Sequence, residues 1–152
     1  MPSRSIDTPL GHLVIESDGQ ALTAIDWSEE VRRDADPLLD EAAAQLAAYF
    51  SGRLHVFDLP LAPAGTPFRQ AVWGAMQAIP FGATRTYGEM ARDLKSAARA
   101  VGGACGANPL PIVIPCHRVL AAGGLGGYSG GLGLESKRKL LELEGVLPKT
   151  LW

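Results

Sequence analysis

The sequence predicts an α+β protein in which a small strand-plus-helix domain precedes a mainly helical domain. Near the start, apolar residues alternate with polar ones around a turn dipeptide, whereas later segments space their apolar residues at helical intervals. The proline-rich stretch LPLAPAGTP separates the two patterns and is typical of a linker. We therefore expect an N-terminal scaffold domain at residues 1–65 and a C-terminal domain at residues 66–152.

The first domain is predicted to contain a β-hairpin followed by a helix. LGHLVIESDGQALTAIDW contains two alternating runs that flank Asp18-Gly19, a dipeptide favoured in tight hairpin turns. DPLLDEAAAQLAAYFSG places its leucines, alanines and aromatic residues at helical spacing, and Gly52 provides a stop signal.

The second domain is predicted to begin with three helices. Thr66 followed by Pro67 is a typical helix start, and "IPFG" ends that helix. Thr86 can cap YGEMARDL, and AARAVGGACGAN forms a further short helix that is rich in small residues and carries Arg99. Two short helices joined by a tight turn fit a helix-turn-helix, in which the second helix lies against DNA.

The remainder of the second domain contains an extended run, a glycine-rich loop and a last helix. NPLPIVIPCHRVL has three prolines and three consecutive β-branched residues, so we expect it to be extended. AAGGLGGYSGG has six glycines in eleven residues, but it lacks the spacing of a phosphate-binding loop. These glycines predict a loop beside Cys116, called the glycine-rich lip below, that is either mobile or closely approached by another group. ESKRKLLELEG reads as a helix ending at Gly145.

Composition and charge favour a globular protein with a basic C-terminal part. The chain has 152 residues and a net charge of −2, with 47% hydrophobic and 20% charged residues. Residues 1–65 hold four Lys/Arg against eleven Asp/Glu, whereas residues 66–152 hold ten against five. This asymmetry leaves two interpretations open, a nucleic-acid-binding surface on the second domain or solvated faces of unequal charge. We expect no membrane partner and a cytoplasmic location, because the sequence shows neither an apolar run of spanning length nor a signal peptide.

Cys116 and His117 are adjacent and are the leading candidates for chemistry. The chain has two cysteines, Cys105 and Cys116, too far apart for a CxxC pair and too few for a four-cysteine zinc site. A lone cysteine after an apolar run is commonly a small core residue. Three features favour a nucleophile instead: the rigid approach through Pro115, the neighbouring imidazole and the glycine-rich lip. We expect the imidazole to lower the pKa of the thiol.

The second domain resembles the O6-alkylguanine-DNA alkyltransferases, also called methylated-DNA–protein-cysteine methyltransferases. The resemblance rests on PIVIPCHRVL, on RAVGGACGANP before it and on GGYSGGLGLESKRKLLELEG after it, and it is continuous from about Thr66 to Val146. The opening TPLGHLVIESDGQALTAIDW is similar to the family's N-terminal domain. The resemblance implies a ribonuclease-H-like first domain and a winged helix-turn-helix-like second domain.

The resemblance implies direct-reversal repair of double-stranded DNA that contains O6-alkylguanine. Cys116 would accept the alkyl group in a single turnover, His117 would act through water as its base, and Glu144 would orient the imidazole. Asn108 would brace the turn, and Tyr87 would donate a proton to the guanine and help to rotate the nucleotide. Activity on O4-alkylthymine and cooperativity on DNA are left open, and a monomer is expected.

The remaining implied roles concern DNA and the extruded base. Arg99 would enter the duplex and fill the gap, beside further DNA-binding positions on the same helix, Ala98, Gly102 and Cys105. Cys105 could instead be a packing thiol or a secondary oxidation site. Backbone groups of Cys116 and Val119, with Ser129, would hydrogen-bond the guanine. Tyr128 would wall the alkyl pocket, and Lys137 completes the substrate-binding set.

The sequence departs from the family's pattern between Tyr87 and Arg99. GEMARDLKSAA is about two residues shorter than the family's usual segment, which bears on the angle between the two helices. The resemblance implies that zinc-bearing members use N-terminal Cys and His ligands, and no cysteine precedes residue 105 here, so we expect no zinc. We also expect no cofactor. Two other functions remain as alternatives: a cysteine hydrolase that uses Cys116, His117 and Glu144 on an acyl substrate, and a helix-turn-helix module without chemistry.

Overall fold

The computed structural model describes residues 1–127 and 133–148, and it has the α+β architecture that the sequence predicts. Three antiparallel strands form a sheet in the order β1-β2-β3, with β1 at Ser3–Thr8, β2 at Gly11–Ser17 and β3 at Leu22–Trp27. The predicted hairpin joins β2 to β3, and the side chain of Asp18 accepts hydrogen bonds from the backbone of Gln20 and Ala21 within its turn. Strand β1 was not predicted.

Helix α1, Pro37–Phe50, packs on this sheet. Asp36 caps its start by accepting a hydrogen bond from the Leu38 amide at 2.8 Å. Its buried face consists of Leu39, Ala42, Leu46 and Tyr49, so the apolar stripe faces the strands. The helix ends just before Gly52, which has a φ of 80°.

Within the described residues, the α-helices that follow are α2 at Pro67–Gln77, α3 at Tyr87–Asp93, α4 at Ala98–Gly106 and α5 at Leu134–Leu143. Thr66 caps α2, and Thr86 forms a capping box with Glu89 at the start of α3. Two short strands, β4 at Arg85–Thr86 and β5 at Val119–Leu120, pair in parallel. The predicted helix starts are therefore confirmed, and a small parallel pair joins α3 to the segment after Cys116.

The two halves of the chain share a continuous hydrophobic core and backbone hydrogen bonds. The predicted linker lies along β3, where Leu22 donates to the Pro60 carbonyl and accepts from the Ala62 amide. The Ile25 amide donates to the Pro109 carbonyl at 2.9 Å. Strand β3 therefore contacts the segment that leads to Cys116.

Candidate active site

The segment from Asn108 to Arg118 forms tight turns, so the expectation of an extended run was wrong there, and only its last two residues, Val119 and Leu120, are in a strand. Pro111 and Ile114 form an isolated bridge around a turn in which Ile112 has a φ of 77°. The side chain of Asn108 holds this turn, since its Nδ2 donates to the Ile114 carbonyl and its Oδ1 accepts from the Leu110 amide, each at 2.9 Å. The turn overrides the usual preference of β-branched residues for strands.

Cys116, His117 and Arg118 form one turn of 3-10 helix directly after this brace. Successive side chains of a 3-10 helix point about 120° apart, so Cys116 and His117 do not face opposite sides as they would on a strand. Both residues are buried, with 7% and 0% of their surface exposed. The turn therefore presents the thiol and the imidazole from one compact unit.

His117 is held by Glu144, the residue that caps the C-terminus of α5. The distance between His117 Nε2 and Glu144 Oε2 is 2.7 Å. Glu144 is ionised and can only accept, so Nε2 carries the proton and Nδ1 keeps its lone pair. Nδ1 is buried and has no hydrogen-bond partner among the described residues. The pKa of His117 is lowered, because burial outweighs the opposing effect of Glu144. The imidazole is therefore a neutral base with a free acceptor nitrogen.

Arg118 and Tyr49 complete the shell around Glu144. Arg118 donates from Nε to Oε1 at 2.8 Å and from Nη2 to Oε2 at 3.0 Å, and Tyr49 donates to Oε2 at 2.5 Å. Burial opposes ionisation of Glu144, but the hydrogen bonds from His117, Arg118 and Tyr49 lower its pKa to about 2. The carboxylate is therefore charged at every pH of biological interest.

The pKa of Cys116 is raised, contrary to the expectation that the imidazole lowers it. Burial is the main cause, while a hydrogen bond from Asn108 and the positive charge of Lys137 act in the opposite direction. Because burial disfavours the thiolate, Cys116 is a neutral thiol in the protein without substrate. A reaction in which Cys116 acted as a nucleophile would therefore require a base to remove its proton.

Lys137, Tyr87 and Cys105 lie close to Cys116. The buried Lys137 Nζ donates to the Val119 carbonyl at 2.7 Å and to the Gly127 carbonyl at 3.1 Å, and burial lowers its pKa. Burial and the two neighbouring cysteines raise the pKa of Tyr87 to about 12. Tyr87 is therefore protonated at neutral pH, as a proton donor must be.

Cys105 requires a correction, because its side chain does not lie on the exposed face of α4. It is 9% exposed, and burial raises its pKa to about 12, with a further contribution from Cys116. The buried thiol lies beside Cys116 and Lys137 and packs against the reactive cluster, which is the packing role that the sequence left open. Sequence spacing alone did not separate the two faces of this short helix.

Two of the substrate-binding residues predicted from the resemblance, Tyr128 and Ser129, lie outside the described residues. Val119 is fully buried, and its amide donates to the Cys116 carbonyl while its carbonyl accepts from Lys137. A carbonyl oxygen has a second lone pair, so the Val119 carbonyl can still accept a hydrogen bond from the N–H group of another molecule.

The exposed face of α4 carries Arg99 among small residues. Ala98 and Arg99 are exposed, Gly102 is half-buried, and a β-carbon built on Gly102, Gly103 or Gly106 would meet open space. The turn between α3 and α4 contains Lys95, with a φ of 53°, which lets the shortened segment still reverse the chain. The structure therefore separates a buried reactive cluster from an exposed face that another molecule can approach closely.

Sequence reasoning missed Tyr49 and Arg118 as members of the site. Tyr49 was interpreted as part of the apolar face of α1, although a buried phenol needs a hydrogen-bond partner. Arg118 follows His117 directly in the sequence, and its guanidinium also donates to the Ile79 carbonyl at 2.7 Å. A buried arginine requires a carboxylate partner, which is the signal that was available.

Two classes of site are not found in the part of the chain that the structure describes. No cluster of three or more His, Cys, Asp or Glu side chains there is arranged to hold a metal ion. None of the helices within 1–127 and 133–148 is both long and apolar enough to cross a membrane.

The chain is similar to known proteins over nearly its whole length. Residues 2–63 match the family model of the 6-O-methylguanine DNA methyltransferase ribonuclease-like domain, and residues 67–146 match the model of the DNA binding domain of the same family. A methylated-DNA–protein-cysteine methyltransferase of Mycobacterium tuberculosis is 46% identical, with 93% of this chain and 90% of the relative covered. One of Methanosarcina acetivorans is 41% identical over 91% and 95%.

A solved structure has the same fold. The crystal structure of Mycobacterium tuberculosis OGT in complex with DNA superposes with a TM-score of 0.85 at 47% identity, and the match covers 95% of this chain and 92% of that one. The agreement in sequence and in fold extends over both halves of the molecule. The chain therefore belongs to the 6-O-methylguanine DNA methyltransferase family.

Proposed function

We propose that this protein repairs DNA by transferring an alkyl group from the O6 atom of guanine to Cys116, once per molecule. The observation that carries the proposal is the triad of Cys116, His117 and Glu144, in which Glu144 fixes the imidazole and leaves Nδ1 unpaired and buried. The family membership makes duplex DNA with O6-alkylguanine the substrate.

In this proposal the proton of Cys116 moves through a water molecule to His117 Nδ1, which has no hydrogen-bond partner among the described residues, and the sulfur attacks the alkyl carbon. An S–C bond forms while the C–O6 bond breaks, and its electron pair goes to the guanine, which takes a proton from Tyr87. The Tyr87 phenolate then regains the proton held by the His117 imidazolium, so the net products are the thioether and guanine. The ionised Glu144 stabilises the imidazolium. Attack at saturated carbon produces no tetrahedral oxyanion, so the site does not need an oxyanion hole. The thioether is stable to water, so each molecule reacts once.

The alkyl group on O6 lies inside the base stack, so the nucleotide must leave the duplex before Cys116 can reach it. The extrusion costs a few kcal/mol, least for a poorly paired base. We assign Arg99 to the gap that remains in the stack, because it is exposed on a helix whose small residues permit close approach. Asn108 positions the thiol, and Lys137 connects the glycine-rich loop to Val119.

Two further assignments belong to this proposal. We place the domain boundary at residues 65 and 66, which the two separate family matches support. We also propose a cytoplasmic location, because the reaction requires a free thiol and a reducing compartment preserves it. Both cysteines are free in the structure.

The deciding experiment is intact-mass analysis after incubation with duplex DNA that contains O6-methylguanine. We expect one added methyl group per molecule, located on the peptide that contains Cys116, and no gain in a Cys116→Ser protein that still binds DNA. An unmodified protein would contradict the proposal. Repeated turnover without mass gain would instead favour a cysteine hydrolase.

A further inference from the structure

Tyr49 connects the N-terminal half of the molecule to the reactive cluster. It lies in α1, it is fully buried, and its hydroxyl donates to Glu144 Oε2 at 2.5 Å across 95 positions of sequence. Its ring packs at centroid distances of 5.2 Å from Phe50, 5.3 Å from Phe57 and 6.2 Å from Phe81. The phenol is therefore fixed by packing on several sides and is aimed at one oxygen atom.

The same packing holds Arg118, the other partner of Glu144. The Arg118 guanidinium carbon lies 5.9 Å from the centroid of the Phe81 ring, which itself contacts Tyr49 edge to face. Glu144 Oε2 accepts from Tyr49, His117 and Arg118 at 2.5, 2.7 and 3.0 Å. These three donors share the negative charge of one oxygen.

The hydroxyl of Tyr49 affects the base on which alkyl transfer depends. Each donor to a carboxylate lowers its basicity, and a less basic carboxylate attracts the proton of a neighbouring imidazolium less strongly. The Glu144 side chain is fully buried, so water does not screen this effect. Loss of the hydroxyl would leave more negative charge facing His117 and would raise the pKa of the imidazole.

We propose that Tyr49 is a positioning residue for alkyl transfer, acting through Glu144 to keep His117 a neutral base at physiological pH. This inference rests on the proposed function of Cys116 and His117. It gives the N-terminal domain a part in the reaction, since α1 supplies the hydroxyl while the second half of the chain supplies the other groups. A purely structural Tyr49 would instead fill space between the halves.

The test compares Tyr49→Phe with a matched control, Ser17→Ala. Ser17 is fully buried in the same half of the molecule, and its hydroxyl donates to the carboxylate of Asp36 at 2.5 Å. Each substitution therefore removes one hydroxyl from one buried carboxylate, but the carboxylate that His117 binds is that of Glu144 and not that of Asp36. The rate constant for methyl transfer is measured across about pH 5 to 8, where histidine titrates.

For Tyr49→Phe we expect the acid limb of the pH profile to move to higher pH by about 0.5 to 1 unit, because a more basic His117 is protonated earlier. The rate constant near the alkaline end should change little. Ser17→Ala should leave the limb where it is. The pH dependence of the His117 ring nitrogen chemical shifts should move with the rate in the first variant and stay unchanged in the second.

Because each molecule reacts once, the amount of methylated protein at the end of the reaction gives the fraction of molecules that are folded and competent. The rate constant gives the reactivity of those molecules, so a folding defect and a chemical defect can be told apart. If Tyr49→Phe has no measurable endpoint, a monofluorinated tyrosine placed at position 49 preserves the packing and is a stronger donor. It should move the limb to lower pH. An unmoved limb in the variant that reacts would overturn the inference, whereas a wild-type protein that transfers no methyl group would contradict the proposed function instead.

Discussion

Gly126 packs against the ring of Tyr87 so closely that a β-carbon on Gly126 would lie 2.8 Å from Cε2 and 3.2 Å from the hydroxyl oxygen. Gly126 also has a φ of 74°, which is strained for any residue with a side chain. The glycine-rich sequence near Cys116 therefore meets a definite need at this position. It lets the loop lie directly on the residue that we assign as the proton donor.

We predict that Gly126→Ala slows methyl transfer about tenfold, which corresponds to about 1.4 kcal/mol of activation free energy. The added methyl must displace either the Tyr87 ring or the loop. Gly124→Ala is the matched control, because a β-carbon there meets open space. Single-turnover rates on duplex DNA provide the measurement. Equal rates in both variants would show that the close approach does not affect the reaction.

Arg99→Ala is predicted to slow repair of a lesion in duplex DNA far more than reaction with the free alkylated base. The free base needs no extrusion, so it does not need a side chain to fill the stack. Single-turnover rates with both substrates give the comparison. Arg53→Ala is the control, because Arg53 is an exposed arginine in the first half of the chain. Equal losses on both substrates would indicate that Arg99 has a structural role.

Glu144→Gln is predicted to lower the free energy of unfolding by about 3 to 5 kcal/mol. The substitution removes the buried negative charge that faces the Arg118 guanidinium, whose side chain is 8% exposed. Urea unfolding monitored by tryptophan fluorescence measures the loss. Glu135→Gln is the control, because its exposed carboxylate lies 3.7 Å from Lys139 and a surface pair contributes about 1 kcal/mol or less. A loss as small as that of the control would contradict the prediction.

Stability is predicted to fall below about pH 6.5 as His117 resists protonation in the folded state. The folded pKa of His117 is lowered, so the unfolded chain binds more protons just below the ordinary value of 6.5, and acid favours unfolding. Glu144 adds a second loss between its ordinary pKa of 4.5 and its folded value of about 2. Unfolding free energies measured from neutral pH downward test both steps.

His12 provides the control for this pH dependence. Its pKa is raised, mainly by a hydrogen bond with Asp7, so any stability that it contributes is present at low pH and is lost as the pH rises. That sign is opposite to the one predicted for His117. His12→Gln should therefore keep the acid-induced loss. Disappearance of the loss in this variant would assign it to the surface histidine and refute the role of His117.

Local signals in the sequence predicted most of the fold. Asp18-Gly19 marks a hairpin, and Thr66 and Thr86 cap helices, because hydrogen bonds within a few residues decide each of these features. Strand β1 was missed because SRSIDT contains a single large apolar residue, and its pairing with β2 stabilises it. The run before Cys116 was wrongly expected to be extended, because the Asn108 brace depends on contacts that propensity does not register.

The candidate site was also predicted only in part. Cys116 and His117 were identified from local features of the sequence, and Asn108 and Glu144 through the resemblance to a family. The structure brings all four together. Tyr49 was not identified, because no pattern within α1 indicates a partner 95 positions away. The raised pKa of Cys116 was also missed, since burial depends on the packing of the whole molecule.

The hydrogen bond from Ile25 to Pro109 makes the two halves mechanically interdependent. Detaching strand β3 would free the backbone just after the asparagine that braces the catalytic turn. A cut in the proline-rich connection should therefore leave the two fragments bound to each other and melting at one temperature. The two halves match separate family models, but we expect them to unfold as one unit.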